Sequence, residues 1–159
     1  MEAASVCLHR HHGSPCSGAI TLNPGPPDEV DFSWDRPSAA VHRSNANAID
    51  ATEAGAYGLC LASVDHRLGL IAIRRAQALT GGDYYLIPGD AEVPEDPDLD
   101  LDRSDLVLLE VSGIDRDTDS TMKQRLDLKI AQVRAQGFGG RAFAGVVGFL
   151  GARIWVEEA

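Results

Sequence analysis

Three acidic residues stand where an ionised side chain is costly. Glu110 lies inside residues 106–111, the most apolar run of the chain, where a glutamate is expensive to ionise without a partner. Asp83 follows two glycines and opens another apolar run. Glu53 lies four residues after Ile49, so on a helix the two share a face. Carboxylates in such positions need a bound partner, and hard divalent cations prefer oxygen ligands.

A basic residue lies on the element that follows these acids. Lys129 comes three residues after Leu126 and four before Val133, beside the apolar stripe of a predicted helix. Gln132 falls further along on the same side. The plain structural explanation of a lysine in this place is that its side chain snorkels to water.

Each acid also has a plain structural explanation. Glu53 could reach water from the edge of its stripe, and Asp83 could bond the backbone of its own turn. Glu110 could pair with an arginine such as Arg74. We therefore keep both readings open for every position.

The periodicity of the apolar residues predicts the elements that position these side chains. Helical spacing indicates two main helices, and β-type runs indicate strands between and after them. The order is helix, strand, strand, strand, helix, strand, strand, with predicted ranges 44–68, 70–73, 84–87, 106–111, 117–136, 143–149 and 154–156. Residues 19–22 and 30–34 are weaker candidates for a short strand and an edge strand. This pattern predicts an α/β fold with a mixed central sheet flanked by two main helices.

The chain of 159 residues has a formal net charge of -10, which opposes simple binding to phosphate backbones. The charge is concentrated, however, because residues 90–105 carry eight acids against one base and account for -7 of it. The remainder carries only -3, so the total charge says little about a site elsewhere in the chain.

Length and composition predict one domain and an ordinary core. We expect residues 1–18 to form a flexible tail and residues 19–159 a single α/β domain with an acidic loop at 90–105. Three cysteines do not resemble a disulfide scaffold, no apolar run approaches the length of a membrane span, and the first residues lack a signal-peptide pattern. We predict a cytoplasmic protein with no membrane partner and leave an oligomer open.

Together these residues and elements resemble the restriction-endonuclease-like superfamily, the PD-(D/E)xK nucleases. That core runs helix, three strands, helix, strand. Its pattern is a glutamate on the first helix, an aspartate opening one strand, and an acid-x-lysine on the next. Glu53, Asp83 and Glu110 match the three acids in that order. The resemblance covers roughly residues 46–149.

The resemblance implies an endonuclease or exonuclease that cleaves DNA or RNA with Mg²⁺ or Mn²⁺. Asp83, Glu110 and the carbonyl oxygen of Val111 would bind the cation, and Glu53 would hold a second cation or a cation-bound water. Lys129 would steady the nucleophile or the phosphate. Nucleic acid would contact polar residues on the strands and the second helix, namely Arg74, Arg75, Arg125 and Gln132.

The chain departs from the family pattern at Ser112, which stands where the family has its lysine. Some members of the family carry that lysine on a neighbouring element, so Lys129 is the candidate substitute and Lys123 the second choice. Without a substitute the domain would be inactive. The alternative function is therefore an inactive interaction protein on the same scaffold, whose acidic surface imitates nucleic acid or docks onto a basic protein.

Residue types alone suggest two further candidate metal sites. The acids of the 90–105 loop alternate like a calcium loop at Asp96, Asp98, Asp100 and Asp102, but they lack the turn glycine and closing glutamate of an EF-hand. A zinc site could be drawn from the first residues: Cys7, His9, His11, His12 and Cys16. Their spacing matches no standard zinc finger.

Overall fold

A computed structural model describes residues 1–76, 82–93, 104–135 and 137–159. In this part of the chain the fold is α/β, with one seven-stranded mixed sheet and four helices. The helices are α1 (Glu2–His9), α2 (Ala39–Ser44), α3 (Ala48–Leu68) and α4 (Asp119–Ala135). The strands are β1 (Cys16–Asn23), β2 (Pro27–Phe32), β3 (Leu70–Arg75), β4 (Tyr84–Pro88), β5 (Val107–Ile114), β6 (Arg141–Gly148) and β7 (Arg153–Glu158).

The sheet has the strand order β2-β1-β7-β6-β5-β4-β3. The pairs β1–β7 and β5–β6 are parallel, and the remaining neighbours are antiparallel. β5 and β6 lie at the centre and are buried along nearly their whole length. The continuous apolar run that predicted a strand covered on both faces is therefore confirmed, and this strand continues to Ile114.

The two long helices cover opposite faces of β5. Residues Leu109 and Val111 belong to the core cluster that contains the α3 residues, whereas Leu108 packs in the same cluster as Val133 of α4. The predicted stripe of α4 is confirmed, since Met122, Leu126, Ile130 and Val133 are all buried. Even-numbered residues of β5 thus face α4 and odd-numbered ones face α3.

α3 begins later than expected because a short helix precedes it. Asn47 caps α3 by accepting hydrogen bonds from the main-chain N–H groups of Ile49 and Asp50. Residues 44–47, which the sequence predicted as the first turn, are instead the end of α2 and the linker between the two helices. The helix ends as predicted at Gly69, whose φ of 62° is the left-handed conformation that glycine adopts without strain.

The expected tail at residues 1–18 contains α1 and the first three residues of β1 in this structure. Its helix is buried through Ala4, Val6, Cys7 and Leu8, and it packs against α3. The histidines that follow obscured this apolar stripe in the sequence. None of the described helices is both long enough and apolar enough to span a membrane.

The weaker strand predictions fall within longer elements. Residues 19–22 are part of β1, and residues 30–32 of the predicted edge strand 30–34 close β2, which does lie at the sheet edge. Residues 94–103, which include most of the predicted acidic loop and its calcium-like aspartates, lie outside the described residues.

Candidate functional site

Among the described residues, one edge of β5 is left unpaired by β4 beyond Leu109, and we call it the open edge of β5. β4 pairs with β5 only from Val107 to Leu109, whereas β5 continues to Ile114 along β6 on its other side. Asp83 lies just where the β4 pairing stops. Its N–H donates to the Leu109 carbonyl at 2.8 Å, and its Oδ2 accepts from the Val111 N–H at 2.8 Å.

This arrangement fixes the direction of the Val111 carbonyl. The N–H and C=O of one strand residue point to the same neighbouring strand. Because the Val111 N–H reaches Asp83, the Val111 carbonyl oxygen also projects from the open edge. The sequence could not reveal this, since it depends on where β4 ends.

Asp83, held on the Val111 N–H, lies close enough to Glu110 for the charges of the two carboxyl groups to interact. Glu110 is only 4% exposed, and the ammonium of Lys129 donates to its Oε1. Burial raises the pKa of Glu110 above its ordinary value, and Asp83 adds to the rise, whereas Lys129 opposes it. The predicted grouping of these three side chains is therefore present, and Lys129 is a partner of Glu110 rather than a snorkelling lysine.

The residues of α4 that face β5, including Lys129, have nearly the same spacing as the residues of β5 that face α4. Two residues of a strand span about 6.6 Å, and four residues of a helix span about 6.0 Å, so successive inward positions on the two elements stay in step. Lys129 faces Glu110, and one turn earlier Arg125 donates to the Ser112 hydroxyl at 2.9 Å. Ser112, two residues after Glu110 on the same face of β5, thus holds a guanidinium.

Tyr57 connects the remaining acid to this group. Its hydroxyl lies 2.6 Å from Oε1 of Glu53, one turn earlier on α3, and 2.9 Å from Oδ1 of Asp83. Burial, assisted by both acids, raises the pKa of Tyr57, so the hydroxyl stays protonated. Glu53 itself is exposed, as its structural explanation predicted. Tyr57 was not predicted as a site residue, although its i, i+4 spacing from Glu53 is visible in the sequence.

These residues border a cleft of about 550 Å³ between α3, the open edge of β5 and α4. Its polar walls are formed by Thr52, Glu53, Tyr57, Asp83, Ser112, Asp115, Arg125 and Lys129. Glu110 is buried behind this lining and is connected to the cleft by Lys129, which bonds to it and lines the cleft. A larger apolar groove of about 770 Å³ between α1, β2 and α3 shares no residue with the cleft.

The four residues predicted to contact nucleic acid lie in different places relative to the cleft. Arg125 lines the cleft, but Arg74, Arg75 and Gln132 are not among the described residues that line it. The Arg75 guanidinium lies over the Tyr57 ring, 5.1 Å from its centroid, and the amide oxygen of Gln132 lies 3.5 Å from the Lys129 ammonium. Both therefore support the cluster from outside, whereas Arg74 lies over the Tyr85 ring.

The residues proposed for zinc are separated by the fold. Cys7 is buried in the core, His11 contacts Asp115 at 3.2 Å, and His12 contacts the Phe149 carbonyl at 2.9 Å. Throughout the described ranges, no group of three or more His, Cys, Asp or Glu side chains is arranged to hold one metal ion.

The oxygen donors at the open edge of β5 nevertheless suit a hard cation. Two neighbouring carboxylates repel each other when both are ionised, and a shared cation or proton relieves that repulsion. With the Val111 carbonyl they supply three oxygen donors, two from side chains and one from the main chain, which is the ligand type that Mg²⁺ and Mn²⁺ prefer. Comparison of the chain with protein-family models, curated proteins and solved structures finds no match. Function must therefore be inferred from the cleft itself.

Proposed function

We propose that this chain is a Mg²⁺- or Mn²⁺-dependent nuclease whose cation site is formed by Asp83, Glu110 and the Val111 carbonyl. The observation that carries the proposal is that Asp83, bonded to the Val111 N–H at the open edge of β5, lies close enough to Glu110 for their charges to interact. One acid precedes β4 and the other belongs to β5, and both lie beside a cleft that is also lined by Arg125 and Lys129.

The order and direction of the elements support a restriction-endonuclease-like core. α3 is followed by β3, β4 and β5, which are antiparallel neighbours, and then by α4 and β6, which is parallel to β5. This is the helix-strand-strand-strand-helix-strand order expected from the sequence. The assignment to that superfamily remains part of the proposal.

Each side chain has a definable task in phosphodiester hydrolysis. A bound cation would lower the pKa of a water and stabilise negative charge on the phosphate. Asp83 and Glu110 hold the cation site, and Lys129 neutralises Glu110 and orients the attacking water from α4. Arg125, anchored on Ser112, offers its remaining N–H groups to phosphate oxygens in the fork geometry that suits them.

Cleavage assays on short single-stranded and double-stranded DNA and RNA test the proposal. We expect Mn²⁺-dependent cleavage of at least one substrate by the wild type, lost by about 100-fold or more in Asp83→Asn and Glu110→Gln, because even outer-shell changes at metal sites cost 10–100-fold. The matched control is Asp65→Asn, an exposed acid on α3 about 18 Å along the helix from Glu53.

Two results would count against the nuclease. Equal activity in the wild type and both variants would assign the cleavage to a contaminant. A wild type that neither cleaves nor binds Mn²⁺ would favour the alternative, an inactive interaction protein that docks onto a basic partner, for which Ser112 in place of lysine is the supporting observation.

A further inference from the structure

From these contacts we infer that Tyr57 is a positioning residue that holds Asp83 and Glu53 in the geometry needed to bind the cation. This inference rests on the proposed function, because it assigns a role at the same site. The polar contacts of the Tyr57 hydroxyl are with Glu53 and Asp83, so the role assigned to it is to act through these two acids.

The first support is that both oxygens of Asp83 are held. Oδ1 lies 2.9 Å from the Tyr57 hydroxyl, and Oδ2 accepts from the Val111 N–H at 2.8 Å. While the hydroxyl donates to Oδ1, the Asp83 carboxylate is held at both oxygens and cannot rotate, yet each oxygen keeps a second lone pair for another partner. Without the Tyr57 contact, Asp83 would turn about its one remaining hydrogen bond.

The second support is that the tyrosine ring is itself fixed. It packs edge-to-face on Tyr84, with ring centroids 5.5 Å apart and an interplanar angle of 72°. The Arg75 guanidinium lies over both rings, 5.1 Å from the Tyr57 centroid and 5.7 Å from that of Tyr84. Residues of β3, β4 and α3 thus set the position of one hydroxyl, which is a rigid arrangement for an otherwise exposed edge of the sheet.

The third support is that one hydroxyl serves two acids. A hydroxyl carries a single proton and therefore donates to one acceptor at a time. Because Glu53 and Asp83 both lie within 2.9 Å of it, the hydroxyl ties an acid of α3 to an acid at the start of β4. Outer-shell groups of this kind orient the ligands of a metal, and their loss commonly weakens metal binding by 10–100-fold.

The test compares Tyr57→Phe with Tyr84→Phe. The first variant removes the hydroxyl and keeps the ring against Tyr84 and Arg75. The control removes a hydroxyl from the same stack that bonds to none of the three acids. Mn²⁺ binding is measured by calorimetry, cleavage is measured as a function of Mn²⁺ concentration, and thermal unfolding is measured with EDTA present.

For Tyr57→Phe we expect Mn²⁺ affinity to fall by about tenfold or more, with a matching rise in the Mn²⁺ concentration needed for half-maximal cleavage. At saturating Mn²⁺ the cleavage rate should recover most of its wild-type value, and Tyr84→Phe should match the wild type throughout. A merely structural role would lower the melting temperature and leave Mn²⁺ affinity unchanged.

Failure of this inference can be separated from failure of the proposed function. If the wild type binds Mn²⁺ and cleaves, but Tyr57→Phe binds Mn²⁺ as tightly as Tyr84→Phe does, the positioning role alone is overturned. If the wild type does not bind Mn²⁺, the cation site and the role of Tyr57 at it are overturned together.

Discussion

Replacing Lys129 with methionine should destabilise the protein in a strongly pH-dependent way. Glu110 is 6% exposed at its side chain and Lys129 20%, so the substitution leaves a carboxyl buried without its cation. Removing one partner of a buried ion pair costs about 3–5 kcal/mol. The carboxyl can limit this cost by taking up a proton.

The free energy of protonating the carboxyl sets an upper limit on the cost of the substitution, and it follows from the ordinary pKa of 4.5 for Glu110. Each pH unit above this value adds about 1.4 kcal/mol to the cost of protonation, which gives about 4 kcal/mol at pH 7.5 and well under 1 kcal/mol at pH 4.5. Lys129 lowers the pKa of Glu110, so the variant has the higher folded pKa and binds more protons when folded. The stability gap between wild type and variant must therefore widen as pH rises.

Urea denaturation with EDTA at pH 4.5 and pH 7.5 measures this gap. We expect Lys129→Met to lose about 2–4 kcal/mol at pH 7.5 and less than about 1 kcal/mol at pH 4.5. Adding Glu110→Gln should restore most of the loss at pH 7.5. The control Lys123→Met removes an exposed lysine that pairs with Asp127 and should change stability by no more than about 0.5 kcal/mol. An equal loss at both pH values, or no recovery in the double variant, would refute the reasoning.

Three further predictions test the packing of the helices and strands around the site. Asp117, whose side chain is fully buried, accepts from the Gly151 N–H at 2.9 Å and from Arg153 at 2.7 Å. Asp117→Ala should therefore lower the free energy of unfolding, measured by urea denaturation, by about 2–4 kcal/mol. A loss below about 0.5 kcal/mol would contradict this. A Cβ atom added at Gly113 would lie 2.5 Å from the Thr52 carbonyl oxygen. Gly113→Ala should therefore push α3 away from β5 and lower the free energy of unfolding by about 1–3 kcal/mol. An unchanged melting temperature would show that the two elements are not in such close contact. Burial raises the pKa of all three thiols, that of Cys60 to about 12, but only Cys16 is partly exposed. At pH 8 a thiol reagent should therefore modify Cys16 before the buried Cys7 and Cys60; rapid reaction at Cys7 would mean that α1 is not packed as described.

The sequence predicted those parts of the fold whose signal is local. The apolar run of β5 and the stripe of α4 were visible as patterns and are confirmed. The burial of α1 was missed, because its short apolar stripe precedes a run of histidines and its partner α3 is distant in the chain. The parallel pairing of β1 with β7 joins the two ends of the chain, and no local pattern encodes it.

The candidate site was partly predictable for the same reason. Glu110 and Lys129 stood out because a charged residue in an apolar run or stripe needs a partner, and the structure brings them together. Asp83 was proposed from its place before a strand, but its bond to the Val111 N–H depends on the point where β4 stops pairing. Tyr57 and the anchoring of Arg125 on Ser112 depend on the distances between elements, which the sequence does not specify.

The most direct test of the cation site is anomalous X-ray scattering from crystals grown with Mn²⁺. The proposed site predicts one strong peak within about 2.6 Å of Asp83, Glu110 and the Val111 carbonyl oxygen, with Tyr57 still bonded to Asp83. Fully occupied Mn²⁺ elsewhere, with no peak beside Asp83 and Glu110, would contradict the account.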